Sequence, residues 1–255
     1  MTATPVLETR ALWKRFGGLV VANAIDFRLE AGARHALIGP NGAGKTTFIN
    51  LITGRIEATA GAILIDGADV THLAQAERVK RGLGRTFQIN TLFGGLGVLE
   101  NVVLAIAERT GLAGRMLRAA GPQQRAIVEE AYALLERLGL AGDAMRPVRA
   151  LSYGRQRLVE IAIALALKPR VLLLDEPAAG VPGGESSTIL AAIDALPADV
   201  AVLIIEHDMD LVFRFARRIT VLAEGAVLTE GTPAEIAADA RVRAVYLGER
   251  HPAHG

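Results

Sequence analysis

ALIGPNGAGKTTFINLIT, residues 36–53, sets a short apolar run, a glycine-rich turn and a second apolar-periodic segment in one unbroken order. Ala36, Leu37 and Ile38 predict a buried strand, and Thr46 to Thr53 predicts a helix. Between them Gly39 to Thr47 matches G-x-x-x-x-G-K-[ST] in the strand-turn-helix context that pattern requires. The residue types have a physical reason. Gly39, Gly42 and Gly44, with Asn41 and the small Ala43, let successive backbone N–H groups converge on phosphate oxygens, and the helix N-terminus adds positive potential. Lys45 supplies a point charge for the β- and γ-phosphates, Thr46 is placed to offer its hydroxyl to Mg²⁺, and Thr47 continues the cradle. A turn that only joined strand to helix would need neither Lys45 nor Thr46.

Bulk properties narrow the setting of this cradle. A chain of 255 residues can bury a substantial core without staples. Hydrophobic residues make up 51% but aromatics only 4%, which describes an Ala/Leu/Val/Ile interior of helices on a sheet. With 28 basic against 27 acidic residues the formal charge is +1, so no global field draws in nucleic acid and none is expected as a partner. The absence of cysteine excludes disulfides, thiolate catalysis and Cys-based metal sites. The opening MTATPVLETR shows no basic stretch followed by an apolar one, so no secretory signal is expected. Leu158 to Leu167, the most apolar segment, is interrupted by Glu160 and is too short to cross a bilayer.

Periodicity organises the remainder. Up to about Gly32, Val6, Leu7, Leu19, Val20, Val21, Ile25, Phe27 and Leu29 predict short strands of a mainly antiparallel layer. Val171 to Leu174 and Val200 to Ile205 predict further buried strands of a parallel sheet flanked by helices. From about 98 to 167 the pattern turns helical, with Leu99, Val102, Val103 and Ile106, then Ile127, Ala131, Leu134, Leu135 and Leu138, on buried faces. Arg109 to Pro122, rich in Gly and Arg, predicts a loop or a frayed helix end.

VLLLDEP, residues 171–177, puts two carboxylates at the C-terminal end of a buried strand, where open α/β sheets bind ligands. Asp175 fits the acid that holds Mg²⁺ in P-loop ATPases, which leaves Glu176 to polarise the water attacking the γ-phosphate.

LSYGRQ, residues 151–156, stands just before that acidic strand. Together with the cradle and VLLLDEP, in this order, it resembles the signature of ABC transporter ATP-binding subunits. The resemblance implies an α/β fold: a P-loop NTPase (RecA-like) core with a mixed sheet, an N-terminal antiparallel β layer and an inserted α-helical subdomain at about 98–167, all within one domain spanning 1–255. It also implies that Ser152 and Gly154 act in trans on ATP held by another subunit. Taken alone, LSYGR would equally be a serine N-cap. Tyr153 and Arg155 depart from the common LSGGQ, whereas Gly154 is retained. By the same resemblance Gln88 in RTFQ matches the residue that senses Mg²⁺ and couples to the membrane subunit, and His207 in IIEHD matches the switch histidine at the γ-phosphate. Phe16 in WKRFGG matches the aromatic that stacks on adenine, with a core phenylalanine as the alternative.

RTFQINTLFGGLGVLENV, residues 85–102, with DEPAAGV and the closing EGTPAEIAADARVRAVYLGE, resembles the ATP-binding subunits of branched-chain and other hydrophobic amino-acid importers. Members of that branch also serve urea or aromatic acids. The resemblance implies ATP hydrolysis, ATP and Mg²⁺ as cofactors, a second ABC ATPase subunit, integral membrane permease subunits, indirectly a solute-binding protein, and a peripheral position on the cytoplasmic face of the inner membrane. A soluble non-transport ABC ATPase would favour paired cassettes, a coiled-coil insert or a basic stripe, none of which is visible.

Overall fold

The computed structural model describes residues 5–86, 92–115, 121–181 and 183–247. Chain contacts divide it into two compact units, residues 1–83 with 198–255, and residues 84–197.

The first unit opens on β1 (Leu7–Phe16) and β2 (Leu19–Leu29), an antiparallel hairpin turned at Gly17 and Gly18. Both strands are longer than the short ones expected from the sequence. Their length is accommodated by register shifts, with Ala11 and Ala24 at φ 41° and 47°, a bulge geometry that increases twist. The strands β4 (Ala60–Ile65) and β5 (Ala68–Asp69) complete an antiparallel sheet in the order β2-β1-β4-β5. The short helix α2 (Gln75–Lys80) follows, and its Arg78 is buried, donating to the carbonyls of Leu51, Ile52 and Thr71.

The same unit carries the strand that delivers the cradle. β3 (Arg34–Ile38) lies parallel to β8 (Ala201–Ile205) on one side and to β9 (Arg218–Ala223) on the other. β10 (Ala226–Gly231) pairs antiparallel with β9, so this sheet is mixed. Ala36, Leu37 and Ile38 are fully buried, as an apolar run without alternation requires. Helix α1 (Lys45–Thr53) packs Phe48 against Phe27, ring centroids 5.6 Å apart, and burying that phenylalanine contributes about 1.5–3 kcal/mol. Phe27 also meets the ring of buried His35 edge-on at 5.0 Å, and His35 Nε2 lies 2.8 Å from the Thr220 hydroxyl. Helices α7 (Met209–Phe215), α8 (Pro233–Ala238) and α9 (Ala240–Leu247) finish the unit.

The second unit begins at the end of β6 (Leu83–Arg85) and contains β7 (Val171–Asp175), with Thr86 donating its backbone N–H to Leu173. Most of it is helical: α3 (Val98–Arg109), α4 (Pro122–Arg137), α5 (Tyr153–Ala166) and α6 (Gly183–Asp194). Val102, Val103, Ile106, Ile127, Ala131, Leu135 and Leu138 are buried as expected, while Leu99 and Leu134 are half-buried and Val98 takes the inner place at the start of α3.

Arg109 corrects the sequence reading. It is the last residue of α3, held by both oxygens of Glu130 and by the Ala166 carbonyl, and Lys168 joins at 3.0 Å. The C-terminal ends of α3 and α5 are thereby tied to the middle of α4. A 3-10 turn follows at Ala113–Arg115, and 116–120 lie outside the described residues. No helix among the described residues is long and apolar enough to cross a membrane.

Candidate functional site

In the first unit the glycine-rich turn is clamped from two sides. A Cβ on Gly39, which sits at φ 153°, would lie 2.2 Å from the Leu222 carbonyl oxygen of β9, so no side chain fits there. Ala43 accepts from the Gly225 N–H at 3.1 Å, fixing the turn to the β9–β10 connection. Gly44 is the N-cap of α1. Lys45 folds its ammonium back onto the Gly39 and Pro40 carbonyls, the posture of a cation poised over the turn's hollow. Asn41, Gly42 and Thr46 are exposed and Thr47 is half-buried, so Thr46 lies on an accessible surface at the helix N-terminus.

Phe16 ends β1 with 51% of its surface exposed, which removes the core-phenylalanine alternative, and Lys14 Nζ stands 4.8 Å from its ring centroid. His207 follows β8 with its side chain 69% exposed; buried Glu206 accepts from its backbone N–H at 3.2 Å. Asp208 then caps α7, accepting from the N–H groups of Asp210 and Leu211.

In the second unit β7 delivers Asp175, half-buried, and Glu176, exposed. Glu176 has φ 47°, left-handed backbone that is uncommon for a residue other than glycine and costs of order 1 kcal/mol or more, the kind of strain that clusters at reactive sites. Arg85, at the end of β6, places Nη2 2.9 Å from Asp175 Oδ2 with its own side chain 10% exposed. The sequence reading had not singled out Arg85, because its partner is 90 positions away. Gln88 lies outside the described residues.

Ser152 is the N-cap of α5, so the serine-cap reading holds: its hydroxyl accepts from the Arg155 N–H at 3.4 Å. The same hydroxyl stands 3.2 Å from Glu185 Oε2, which also accepts from the Gly154 N–H at 3.0 Å.

The two departures from the common signature have structural work of their own. Arg155 donates to Asp143 and, at 2.9 Å, to the Gly139 carbonyl, while Arg146 holds the other Asp143 oxygen at 2.7 Å. Burial pushes the Asp143 carboxyl up, but the hydrogen bonds from Arg146 and Arg155 outweigh it and leave it below the usual carboxylate value. The Tyr153 hydroxyl accepts from Arg157 at 3.2 Å, and Arg157 pairs with buried Glu160 at 2.8 Å. Desolvation pushes the Glu160 carboxyl up against the pull of Arg157.

A strand leading through a glycine turn into a helix, with a lysine and a threonine at its mouth and an Asp-Glu pair ending a second buried strand, defines a P-loop nucleotide-binding domain. The chain belongs to the ABC transporter family: the model described as "ABC transporter" matches residues 22–179, and one described as "Branched-chain amino acid ATP-binding cassette transporter" matches 226–252. It is thus a nucleotide-binding ATPase of the transport-coupled kind, with a P-loop fold. It is 39% identical over 251 residues to the high-affinity branched-chain amino acid transport ATP-binding protein BraF of Pseudomonas aeruginosa, covering 96% of this chain and 98% of that one. It is 38% identical to LivG of Escherichia coli K12, described in the same words, with the same coverage. Among solved structures, the ADP conformation of an ATP-binding cassette of an ABC transporter superposes with a TM-score of 0.83 at 31% identity, covering 96% of this chain and 99% of that one. A dimeric cassette in a post-hydrolysis state with ADP and phosphate gives 0.72 at 25% identity, covering 89% and 98%.

Proposed function

We propose that this cassette powers uptake of branched-chain or related hydrophobic amino acids, pairing with a second cassette so that each ATP lies between one chain's Gly39–Thr47 cradle and the other chain's Ser152 turn. The substrate class is supported by relatives of matching length whose descriptions name branched-chain amino acid transport. The paired arrangement is carried by one observation: the Ser152 hydroxyl and the Gly154 N–H, at the head of a 14-residue helix, already hold an acidic oxygen. Donors that seat a carboxylate there suit a phosphate oxygen equally. In this reading residues 1–255 form one ABC domain whose insert, about 98–167, carries that turn.

Roles follow from residue chemistry. Phe16 stacks on the adenine, its exposed ring available for contact. Backbone N–H groups from Asn41 to Thr47 hold the phosphates, and Lys45 exchanges its carbonyl partners for β- and γ-phosphate oxygens. The Thr46 hydroxyl and the Asp175 carboxylate, aided by Gln88, are hard oxygen donors that would hold Mg²⁺, whose charge would offset that of the phosphates. Among the described residues no group of three or more acidic, histidine or cysteine side chains is arranged to hold a metal ion, and a cation shared with phosphates and water needs none. Glu176 orients and deprotonates the attacking water, and His207 contacts the γ-phosphate.

ATP shifts the pair towards its closed form only through its greater affinity for that form, and hydrolysis removes the preference. The residues around Gln88 dock a permease segment, which places the cassette peripherally on the cytoplasmic face of the membrane, with a solute-binding protein acting on the far side.

Glu176→Gln tests this reading. The variant should keep ATP binding, sediment as an ATP-dependent dimer and lose hydrolysis by about 10²-fold or more. Wild-type turnover would remove Glu176 from the mechanism, and a chain that stays monomeric at saturating ATP would remove the pairing.

A further inference from the structure

The anion seated on the signature turn belongs to the protein itself. Glu185, in the first turn of α6, brings Oε2 to 3.2 Å from the Ser152 hydroxyl and 3.0 Å from the Gly154 N–H. A Cβ on Gly154 would stand 2.3 Å from that oxygen and 3.0 Å from the Glu185 Cβ. Gly154 is absent from the residues with positive φ, so its backbone conformation does not demand glycine. In the free chain, what the missing side chain makes room for is the carboxylate.

We propose that Glu185 is an internal occupant of the terminal-phosphate receptor, and that its carboxylate has to swing aside before the ATP of a companion cassette can be seated. The inference rests on the paired reading above and adds a residue that sets its threshold. The carboxylate and the γ-phosphate compete for the same two donors, and their like charges prevent both from lying on one N–H group at hydrogen-bond distance. A receptor open only part of the time lowers apparent affinity by the open fraction. Two charge-assisted hydrogen bonds on a half-exposed carboxylate that keep the seat about 90% filled would raise the ATP requirement about tenfold per site. ADP lacks the γ-phosphate that the receptor takes, so Glu185 can return once that group has left, which favours separation of the pair.

The test uses the full-length chain in the Glu176→Gln background, titrated with Mg-ATP and followed by sedimentation velocity. Glu185→Ala should lower the ATP concentration at half-dimerisation by about three- to tenfold. Glu185→Gln keeps an acceptor for Gly154 but loses the charge, and should fall between. Denaturation curves establish that both are folded; should Glu185→Ala not fold, a fall in the midpoint for Glu185→Gln is still required. Midpoints that stay or rise in the folded variants, while the parent dimerises, would overturn the inference and leave the paired cassette standing, with Glu185 as a brace of the turn. A parent that forms no ATP-dependent dimer would overturn the paired reading itself.

Discussion

Gly39 and Gly42 lie three positions apart in the same turn, and the structure assigns them different costs for the same substitution. Gly39→Ala puts a methyl group 2.2 Å from the Leu222 backbone oxygen at φ 153°, a region that residues with a Cβ scarcely enter. The obstruction is backbone of β9, paired on both sides, and cannot rotate away. Strain of about 1–3 kcal/mol adds to an overpacking cost of about the same size, so the loss should be about 3–5 kcal/mol. Gly42→Ala meets nothing within 4 Å and carries only the left-handed penalty at φ 77°, about 1–2 kcal/mol. In urea denaturation with a slope on the order of 3 kcal/mol per molar, the two midpoints should differ by about 1 M, with Gly39→Ala the lower. Equal losses in the two variants would refute the claim that β9 clamps the turn.

Other expectations follow from charged and titrating groups. Burial pulls His35 from 6.5 down to about 4, opposed by Glu230 and assisted by Arg218. Between pH 6.5 and 4 the unfolded chain takes up a proton that the folded chain refuses, so this contribution to stability is complete above 6.5 and falls by up to about 3 kcal/mol as the pH drops to 4. His35→Gln should flatten that stretch of the stability–pH profile, and an unchanged slope would locate the dependence elsewhere. Arg155→Gln should cost about 1 kcal/mol after allowance for the half-exposed guanidinium. A double-mutant cycle with Asp143→Asn should give a coupling near that size, while strict additivity would dissolve the proposed anchor.

The legible parts of the chain were those in which one stretch carries its own explanation. Helix α1 begins only one residue before the expected Thr46 and the cradle's strand two residues before the expected Ala36, because the apolar run, the glycines and the lysine are adjacent. Val171 to Leu174 was recognisable as a strand for the same reason, being buried on both faces. What the sequence hid was pairing at a distance. Arg109 reads as part of a loop or a frayed helix end because Glu130 is 21 positions away, and nothing local announces that Arg85 meets Asp175. The lengths of β1 and β2 were hidden by Ala11 and Ala24, whose irregular backbone breaks the strict alternation by which a strand is read.

The tie among Arg109, Glu130, Lys168 and the Ala166 carbonyl lies at the opposite end of α5 from Ser152. A helix of 14 residues is about 21 Å long, so α5 is a lever arm with its pivot braced by two neighbouring helices. A tilt of roughly 10° about the braced end would carry the serine turn about 4 Å, more than the length of a hydrogen bond. In the paired arrangement proposed above, a displacement of that size would make or break the turn's contact with phosphate.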